Sequence, residues 1–213
     1  MTDIYDILKT FDNNAVVIEC GGHLGTDTTK LCSLFSDGTI HCFEANIGLY
    51  KNLEKLVSKY NNLKLYNLAL SDENKDCDFF IDCNKDGDAG ASSLLEASNS
   101  YLRMYIKDEK KVTVKGITLE SFMVQNNIPA IDLLWLDVEG FEYYILKSST
   151  DALKKIKYVY TEVNFVEFRK TGKLYNDVKQ VMIDNGFEET HKWTQGDVWG
   201  KWQGNILFKN TNI

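Results

Sequence analysis

The amino-acid sequence predicts an α/β domain with a mostly parallel β-sheet. Short apolar runs alternate along the chain with amphipathic stretches, which is the pattern of repeated β–α–β units. A glycine-rich turn directly follows the first apolar run, as expected where a buried strand passes into a helix. The tail, residues 187–208, predicts an antiparallel pair of strands that closes one edge of the sheet. A length of 213 residues suits one domain spanning residues 1–213.

The first half of the chain supplies an N-terminal helix within residues 1–14 and then three strands with two helices between them. Thr26 and Asp27 are good N-cap residues for the first of these two helices. Leu49, Leu53 and Leu56 recur at the spacing of one helical face and predict the second. The predicted strands cover residues 15–20, 39–43 and 63–70, and the predicted helices cover residues 29–35 and 49–60.

The second half continues this alternation after an accessory strand at residues 77–82 and a polar loop within residues 82–100. A continuous apolar run predicts a buried strand at residues 131–136. Gly186 is expected to end the last helix. The remaining predictions are strands at residues 112–114 and 158–163 and helices at residues 118–126, 141–153 and 174–185.

The composition limits the classes of protein that the chain can represent. A formal net charge of −7 argues against a nucleic-acid partner, because phosphate binding requires a positive field. The five cysteines form no pair of CxxC motifs, so zinc is not expected and reduced thiols in a cytoplasmic protein fit best. The sequence shows neither a leader nor an apolar run of membrane-spanning length, and no membrane association is expected.

Acidic and glycine residues indicate a ligand site at the carboxyl ends of the first two strands, where open α/β sheets bind ligands. Gly21 and Gly25 let the backbone turn sharply and approach a ligand closely, and Glu19 suits a cationic group such as an amino group. Glu44 ends the second strand 19 positions after Gly25 (44 − 25). Dinucleotide folds place a ribose-binding carboxylate at a similar spacing of roughly 20 residues. The alternative is that the glycines only make a tight turn.

A further acidic group follows the strand at residues 131–136. Asp137 passes from this strand directly into a turn, so its carboxylate is expected at the floor of the same cleft. For Glu139 the alternative is to cap the following helix, and for Glu142 a solvated position.

The segment around Asp137 resembles the signature of FkbM-type methyltransferases, and further segments agree with that family in order. The matches run over residues 15–208, which is nearly the whole chain. The matching segments are IDLLWLDVEGFE at residues 131–142, ECGGHLG at 19–25, CFEA at 42–45, LALSD at 68–72, SSL at 92–94 and ITLESF at 117–122.

The resemblance implies a Rossmann-like class I methyltransferase fold with a mostly parallel seven-stranded sheet and an antiparallel C-terminal edge. It implies S-adenosylmethionine as the methyl donor and a hydroxyl acceptor on a sugar, a glycan or a related small molecule. Because acceptor pockets are formed by loops, residues 82–100 and 165–173 are expected to border the acceptor. The implied cofactor contacts are Glu19, Gly21 and Gly25 around the methionine part, Glu44 on the ribose, and Ala69, Ser71 and Asp72 near the adenine. The chain departs from the family in Glu19, His23 and Ala45, where Asp, Asn and Pro are common, and this bears on affinity more than on fold.

Two arrangements remain open for removing the proton of the acceptor hydroxyl. In one, Asp137 or His23 accepts the proton. In the other, Asp137 joins Glu162 and Asn164, at the end of the next strand, in holding a divalent cation such as Mg²⁺ through oxygen ligands. In strand position this second arrangement resembles the magnesium site of catechol-type O-methyltransferases. The alternative is that Glu162 and Asn164 only end their strand.

Two other functions also remain open. An NAD-dependent oxidoreductase would share the glycine-rich turn and the ribose carboxylate, and Tyr143 and Lys147 have the Tyr-x-x-x-Lys spacing used in hydride transfer. Glu19, however, would repel a pyrophosphate group. The other function is a cofactor-binding module without activity, which a turnover assay would distinguish from an enzyme.

Overall fold

The computed structural model of the chain describes residues 3–83, 90–99, 108–197 and 200–213. The strands in this part are β1 (Val16–Cys20), β2 (Thr39–Phe43), β3 (Leu63–Tyr66), β4 (Ala69–Leu70), β5 (Asp76–Asp82), β6 (Glu109–Ile117), β7 (Ile131–Leu136), β8 (Ile156–Asn164), β9 (Phe187–Asp197) and β10 (Gly200–Asn210). The helices are α1 (Ile4–Leu8), α2 (Thr26–Leu34), α3 (Ile47–Val57), α4 (Leu119–Gln125), α5 (Glu142–Ser148), α6 (Thr150–Leu153) and α7 (Tyr175–Asp184). The strands β2 and β7 have the predicted bounds.

Seven strands form one sheet in the order β3-β2-β1-β7-β8-β10-β9. The strands from β3 to β8 in this order pair parallel, whereas β10 pairs antiparallel with both β8 and β9. This confirms the predicted mostly parallel sheet with an antiparallel C-terminal edge. The strand order reverses between β1 and β7, because the chain moves outward from β1 to β3 and returns on the other side of β1. Such a reversal leaves a crevice at the carboxyl ends of the strands.

A three-stranded sheet has the order β4-β6-β5, and it corrects the prediction of one strand at residues 63–70. The strand β3 ends at Tyr66, and β4 pairs with β6 rather than with β2. Between them, the Asn67 amide donates to the carbonyl oxygens of Glu44 and Ala45 at 2.8 and 3.1 Å, which fixes the break. The strand β6 is longer than the predicted strand at residues 112–114, because it pairs with the whole of β5.

Apolar side chains form a separate cluster on each face of the main sheet. Along β1, Ile18 and Cys20 belong to one cluster and Val17 to the other, as the alternation of strand side chains requires. The helices α4, α5 and α7 contribute to the first cluster, and α1, α2 and α3 contribute to the second. Since both faces are covered by helices, the carboxyl ends of the strands are the natural place for a ligand.

Two helix predictions need correction. The helix predicted within residues 1–14 is confined to α1, where Asp3 caps the helix by accepting from the Tyr5 amide; residues 1 and 2 lie outside the described residues. The helix predicted at residues 141–153 is divided into α5 and α6 by Ser149, whose φ of −105° and ψ of 34° interrupt the helical backbone. The local sequence pattern does not indicate such a break, because α5 and α6 both have an apolar face.

Within the described ranges, no helix is both long enough and apolar enough to cross a membrane. All five cysteines lie in these ranges, and each is a free thiol.

Candidate active site

A cavity of about 300 Å³ lies at the crevice between β1 and β7, within the range of roughly 300–1,000 Å³ found for small-molecule sites. Its polar lining consists of His23, Glu44, Ser92, Asp137 and Glu139. Its apolar lining includes Phe43, Leu49, Leu68, Ala69, Leu70, Phe79 and Leu94. None of the described residues that line it is a lysine or an arginine. The cavity therefore suits a ligand that is neutral or positively charged at its polar end.

The turn after β1 requires glycine at position 21. Gly21 has a φ of +94°, and a Cβ atom built there would lie 1.9 Å from the carbonyl oxygen of Asp137. The amides of Gly21 and Gly22 both donate to the carbonyl oxygen of Phe43 at 3.0 Å. The turn is thus packed between the ends of β2 and β7, and Gly21 itself borders the cavity.

Gly25 has a different role from the one that the resemblance implies. It has a φ of +81° and is the N-cap of α2, a position for which Thr26 or Asp27 had been predicted. A Cβ atom on Gly25 would lie 2.6 Å from Leu56 and 2.8 Å from Leu53, both on α3. Gly25 does not border the cavity. Its glycine requirement arises from packing between two helices and from its positive φ.

Glu19 also lies outside the cavity wall. Because side chains alternate along β1, Cys20 borders the cavity and Glu19 points to the opposite face. There its carboxylate forms hydrogen bonds with Thr28 and Cys42, and burial raises its pKa to about 8. Its Oε2 has no hydrogen-bond partner among the described residues. The predicted direct contact of Glu19 with the methionine part is therefore not supported by its orientation.

Glu44 lies at the end of β2 with its carboxylate on the cavity wall. Oε2 accepts from the His23 amide and Oε1 from the Asn46 amide, both at 2.7 Å. Burial raises the pKa of Glu44, and the two amide donors oppose that rise. Each oxygen retains a lone pair for a further donor.

The residues predicted to contact the adenine do not all border the cavity. Ala69 borders the cavity. Ser71 and Asp72 do not: Ser71 is buried, its amide donates to the Ile117 carbonyl at 2.9 Å, and its hydroxyl donates to Asp72 at 3.2 Å. Ser71 thus fastens the end of β4 to β6, and Asp72 accepts from its hydroxyl.

The turn after β7 brings two carboxylates to the cavity. Asp137 lines it as predicted, and burial raises its pKa to about 6. Glu139, with a positive φ of 56°, also lines it. The N-cap of α5 is Phe141, and Glu142 is buried and accepts from the Val138 amide of the preceding turn at 3.0 Å. The alternatives of a capping Glu139 and a solvated Glu142 were therefore wrong.

The structure brings together part of the predicted set of oxygen ligands for a divalent cation. Asp137 and Glu162 offer oxygen atoms that, with one from Glu139, all lie within 4.8 Å of one another. Burial raises the pKa of Glu139 to about 8 and that of Glu162 well above its usual range, in both cases with Asp137 adding to the rise. The buried side chain of Asn164 follows on the same strand. The sequence analysis did not include Glu139 in this set of ligands. Its position just before a glycine indicated a turn that could direct its side chain to the same place as Asp137.

The loop predicted within residues 82–100 is described in part, since residues 84–89 and 100 lie outside the described residues. Gly90, Ser92 and Leu94 border the cavity. The buried guanidinium of Arg169 forms an ion pair with Glu109 at 2.6 Å and donates to the carbonyl oxygens of Ala91 and Leu95. This loop is thus fastened to the segment that follows β8.

His23 borders the cavity as predicted, with a φ of +47°. Tyr143 and Lys147 are on α5 and do not border the cavity. Their spacing was the basis of the oxidoreductase hypothesis.

The strand order, the glycine turn after β1 and the carboxylate at the end of β2 define a Rossmann-like fold that binds a nucleoside-containing cofactor. The family model for the methyltransferase FkbM domain matches residues 19–189, so the chain belongs to the FkbM methyltransferase family. The family assignment supports methyl transfer from S-adenosylmethionine over hydride transfer.

One curated relative and several solved structures are similar to this chain, and the solved structures share its fold. The chain is 23% identical over 203 residues to the 2-O-methyltransferase NoeI of Sinorhizobium fredii, covering 93% of this chain and 80% of that protein. The methyltransferase FkbM from Methylobacillus flagellatus has a similar fold, with a TM-score of 0.56 and 11% identity over 93% of this chain and 44% of that one. The chain thus spans less than half the length of that protein. Fibrillarin from Aeropyrum pernix, solved with bound S-adenosylmethionine, gives a TM-score of 0.53 at 10% identity, covering 96% and 73% of the two chains.

Proposed function

We propose that the chain transfers the methyl group of S-adenosylmethionine to a hydroxyl group of a sugar or glycan-type acceptor. The observation that carries this proposal is that Glu44, Asp137 and Glu139 border one cavity. Glu44 is suited to bind the ribose hydroxyls, and Asp137 and Glu139 are suited to bind an acceptor hydroxyl. All three carboxylates line the same cavity. The name of the relative NoeI, a 2-O-methyltransferase, supports oxygen as the accepting atom.

The cavity fits the proposed cofactor in three respects. Glu44 presents two oxygens that each have a lone pair left for a ribose hydroxyl. Phe79 and Leu94 are among the apolar side chains that offer a surface for an adenine ring. The lining is acidic and lacks lysine and arginine in its described part, which favours a sulfonium and an ammonium over the pyrophosphate of NAD.

Bound S-adenosylmethionine would supply an electrophilic methyl group, whose transfer to an acceptor oxygen would leave the electron pair of the carbon–sulfur bond on sulfur. Asp137 accepts a hydrogen bond from the acceptor hydroxyl and so orients its oxygen. With a pKa raised by burial to about 6, Asp137 is ionised near neutral pH and able to take the released proton. Orientation of this kind supplies roughly 7–11 kcal/mol in favourable cases.

Incubation with S-adenosylmethionine and a panel of mono- and oligosaccharides tests the proposal. Mass spectrometry is expected to show the gain of one methyl group on an acceptor, and chromatography an equal amount of S-adenosylhomocysteine. Deoxy analogues of the accepted sugar, each lacking one hydroxyl, identify the oxygen that is methylated.

Titration calorimetry with S-adenosylmethionine and NAD⁺ supplies the control for cofactor class. Binding of NAD⁺ alone would overturn the proposal. Binding of S-adenosylmethionine without turnover on any hydroxyl acceptor, while amine or carboxyl acceptors are methylated, would refute its O-methyl part.

A further inference from the structure

Four carboxylates crowd the turn after β7 and the end of β8. Asp137, Glu139 and Glu162 each place one oxygen within 4.8 Å of the other two, and Glu142 is buried next to them. Negative charges at such separations repel one another in a partly buried setting, unless protons or a cation neutralise them. The arrangement therefore requires a partner of one of these two kinds.

Glu142 differs from the other three because the backbone satisfies it. Its Oε1 accepts from the Val138 amide at 3.0 Å, and further backbone amides of the same turn, among them that of Gly140, donate to its carboxylate. Glu142 therefore holds the start of α5. The three remaining carboxylates are the ones whose charge the backbone leaves unsatisfied.

Two oxygen atoms beside this cluster lack any donor. Glu162 is 8% exposed and Asn164 is 6% exposed, yet Glu162 Oε2 and Asn164 Oδ1 have no hydrogen-bond partner among the described residues. Gln203 donates to the Glu162 carboxylate, so that side chain is held in place while Oε2 stays without a donor. The Asn164 amide lies against the turn, with Nδ2 3.6 Å from a Cβ built on Gly140. Buried oxygens of this kind indicate an additional ligand.

Two basic side chains act on this cluster: against the rise that burial causes, the charge of Arg169 lowers the pKa of Glu139, and that of His23 lowers the pKa of Asp137. Arg169 is the one buried arginine or lysine there, and its guanidinium is already bonded to Glu109 and to two carbonyl oxygens of residues 91–95. Its single charge is thus shared between Glu109, at 2.6 Å, and Glu139, whose pKa it lowers. Protons on these carboxyl groups reduce the repulsion, whereas a cation from solution would both neutralise the carboxylates and supply a partner for the two oxygens without donors.

We propose that Asp137, Glu139 and Glu162, together with the side-chain oxygen of Asn164, bind a hard divalent cation of the Mg²⁺, Mn²⁺ or Ca²⁺ type. Carboxylate and amide oxygens are the ligands that these cations prefer, and three carboxylates supply the charge that they require. The proposed set adds Glu139 to the ligands expected from the sequence. Two of its members, Asp137 and Glu139, also border the cavity, so an ion held here would lie at its acceptor end.

The function of the ion, which would be to orient the acceptor hydroxyl and lower its pKa, rests on the proposed methyl transfer. Binding of the ion does not depend on it.

The test is titration calorimetry of the chelator-treated full chain with MnCl₂, CaCl₂ and MgCl₂, without cofactor or acceptor. At least one of these salts is expected to bind with one ion per chain. Glu162→Gln removes one ligand charge at constant size and is expected to weaken binding at least ~10-fold. Glu19→Gln is the matched control: Glu19 is also buried with an Oε2 that lacks a described partner, but it lies on the opposite face of β1.

The outcomes separate the two proposals. Absence of saturable binding by all three salts, or equal affinities in wild type and a folded Glu162→Gln, overturns the metal site and leaves methyl transfer standing. The site is supported if the wild type and Glu19→Gln each bind one ion and Glu162→Gln binds it much more weakly. This holds even where no methyl transfer is seen. If Glu162→Gln does not fold, Asn164→Ala is the second variant, because it removes a proposed ligand oxygen without changing the charge. It is also expected to weaken binding of the ion.

Discussion

The backbone amide of His23 donates to Glu44 Oε2 at 2.7 Å, so the carboxylate at the end of β2 also holds the turn that follows β1. Its other oxygen accepts from the Asn46 amide at the start of α3. Glu44 thus joins three segments that surround the cavity, and a ligand that binds this carboxylate meets a side chain that is already fixed in place. Such preorganisation lowers the entropy lost on binding.

Glu44→Ala is expected to weaken S-adenosylmethionine binding by ~10- to 150-fold, since the loss of charge-assisted hydrogen bonds costs about 1.5–3 kcal/mol. Titration calorimetry measures the change. Glu54→Ala, on the exposed side of α3, is the matched control and is expected to bind normally. An affinity of Glu44→Ala equal to that of the wild type would refute the ribose contact.

Gly21→Ala and Gly25→Ala are expected to differ in cost. The added Cβ at position 21 meets the rigid carbonyl of Asp137 at 1.9 Å, whereas at position 25 it meets the ends of two leucine side chains that are able to move. With positive φ at both positions, we expect a loss of about 1–2 kcal/mol for Gly25→Ala and about 3 kcal/mol or more for Gly21→Ala.

Urea unfolding of the two glycine variants measures these losses, and cofactor titration adds a second readout. Gly25→Ala is expected to keep its affinity for S-adenosylmethionine, because Gly25 faces α3 and not the cavity. A folded Gly25→Ala variant that cannot bind the cofactor would restore the contact that the resemblance implies.

Glu19 is expected to make the stability of the cofactor-free protein depend on pH. Burial raises its pKa from 4.5 to about 8, so between these values the folded chain holds a proton that the unfolded chain releases. The free energy of unfolding therefore falls as the pH rises through this window. At about 1.4 kcal/mol per pKa unit, the contribution is on the order of a few kcal/mol.

Glu19→Gln removes this titration while keeping the size of the side chain. Relative to the wild type, the variant is expected to gain stability steadily as the pH rises from about 5 to about 8.5. Urea unfolding at several pH values measures the difference between the two curves. A difference that does not change with pH would show that Glu19 is ionised in the folded protein.

Asp137→Asn keeps the size of the side chain and removes its charge. It is expected to lower turnover by roughly 100-fold or more, the usual effect of losing a general base, with nearly unchanged cofactor affinity. Asp151→Asn, an exposed aspartate on α6, serves as the control with normal turnover. Wild-type turnover in Asp137→Asn would assign this carboxylate a purely structural role.

The main sheet and the position of the cavity were predictable because they depend on local patterns. The apolar runs of β2 and β7, the glycine after β1 and the acidic residue that directly ends β2 are each visible within a few residues. The break between β3 and β4 was not predictable in this way, since it depends on an Asn67 amide that reaches the carbonyls of Glu44 and Ala45. That contact joins residues more than twenty positions apart.

The side on which a site residue faces was harder to predict than its place in the chain. Glu19 has the right position at the end of β1, but strand alternation turns it toward Thr28 and Cys42. Neither Glu139 nor Glu142 has the role expected as its alternative: Glu139, with a left-handed backbone, borders the cavity, and Glu142 is buried. A single sequence does not show backbone angles, so these orientations required the structure.

The ion pair between Arg169 and Glu109 has a consequence for engineering the chain. Arg169 follows β8, Glu109 begins β6, and the same guanidinium holds the carbonyls of Ala91 and Leu95 beside the cavity. A chimera that imports only one of these segments from a relative would leave a buried charge without its counterpart, at a cost of about 3–5 kcal/mol. Residues 90–99, Glu109 and the segment around Arg169 are therefore one unit, and an exchange of any of them keeps the buried charge paired when all three are replaced together.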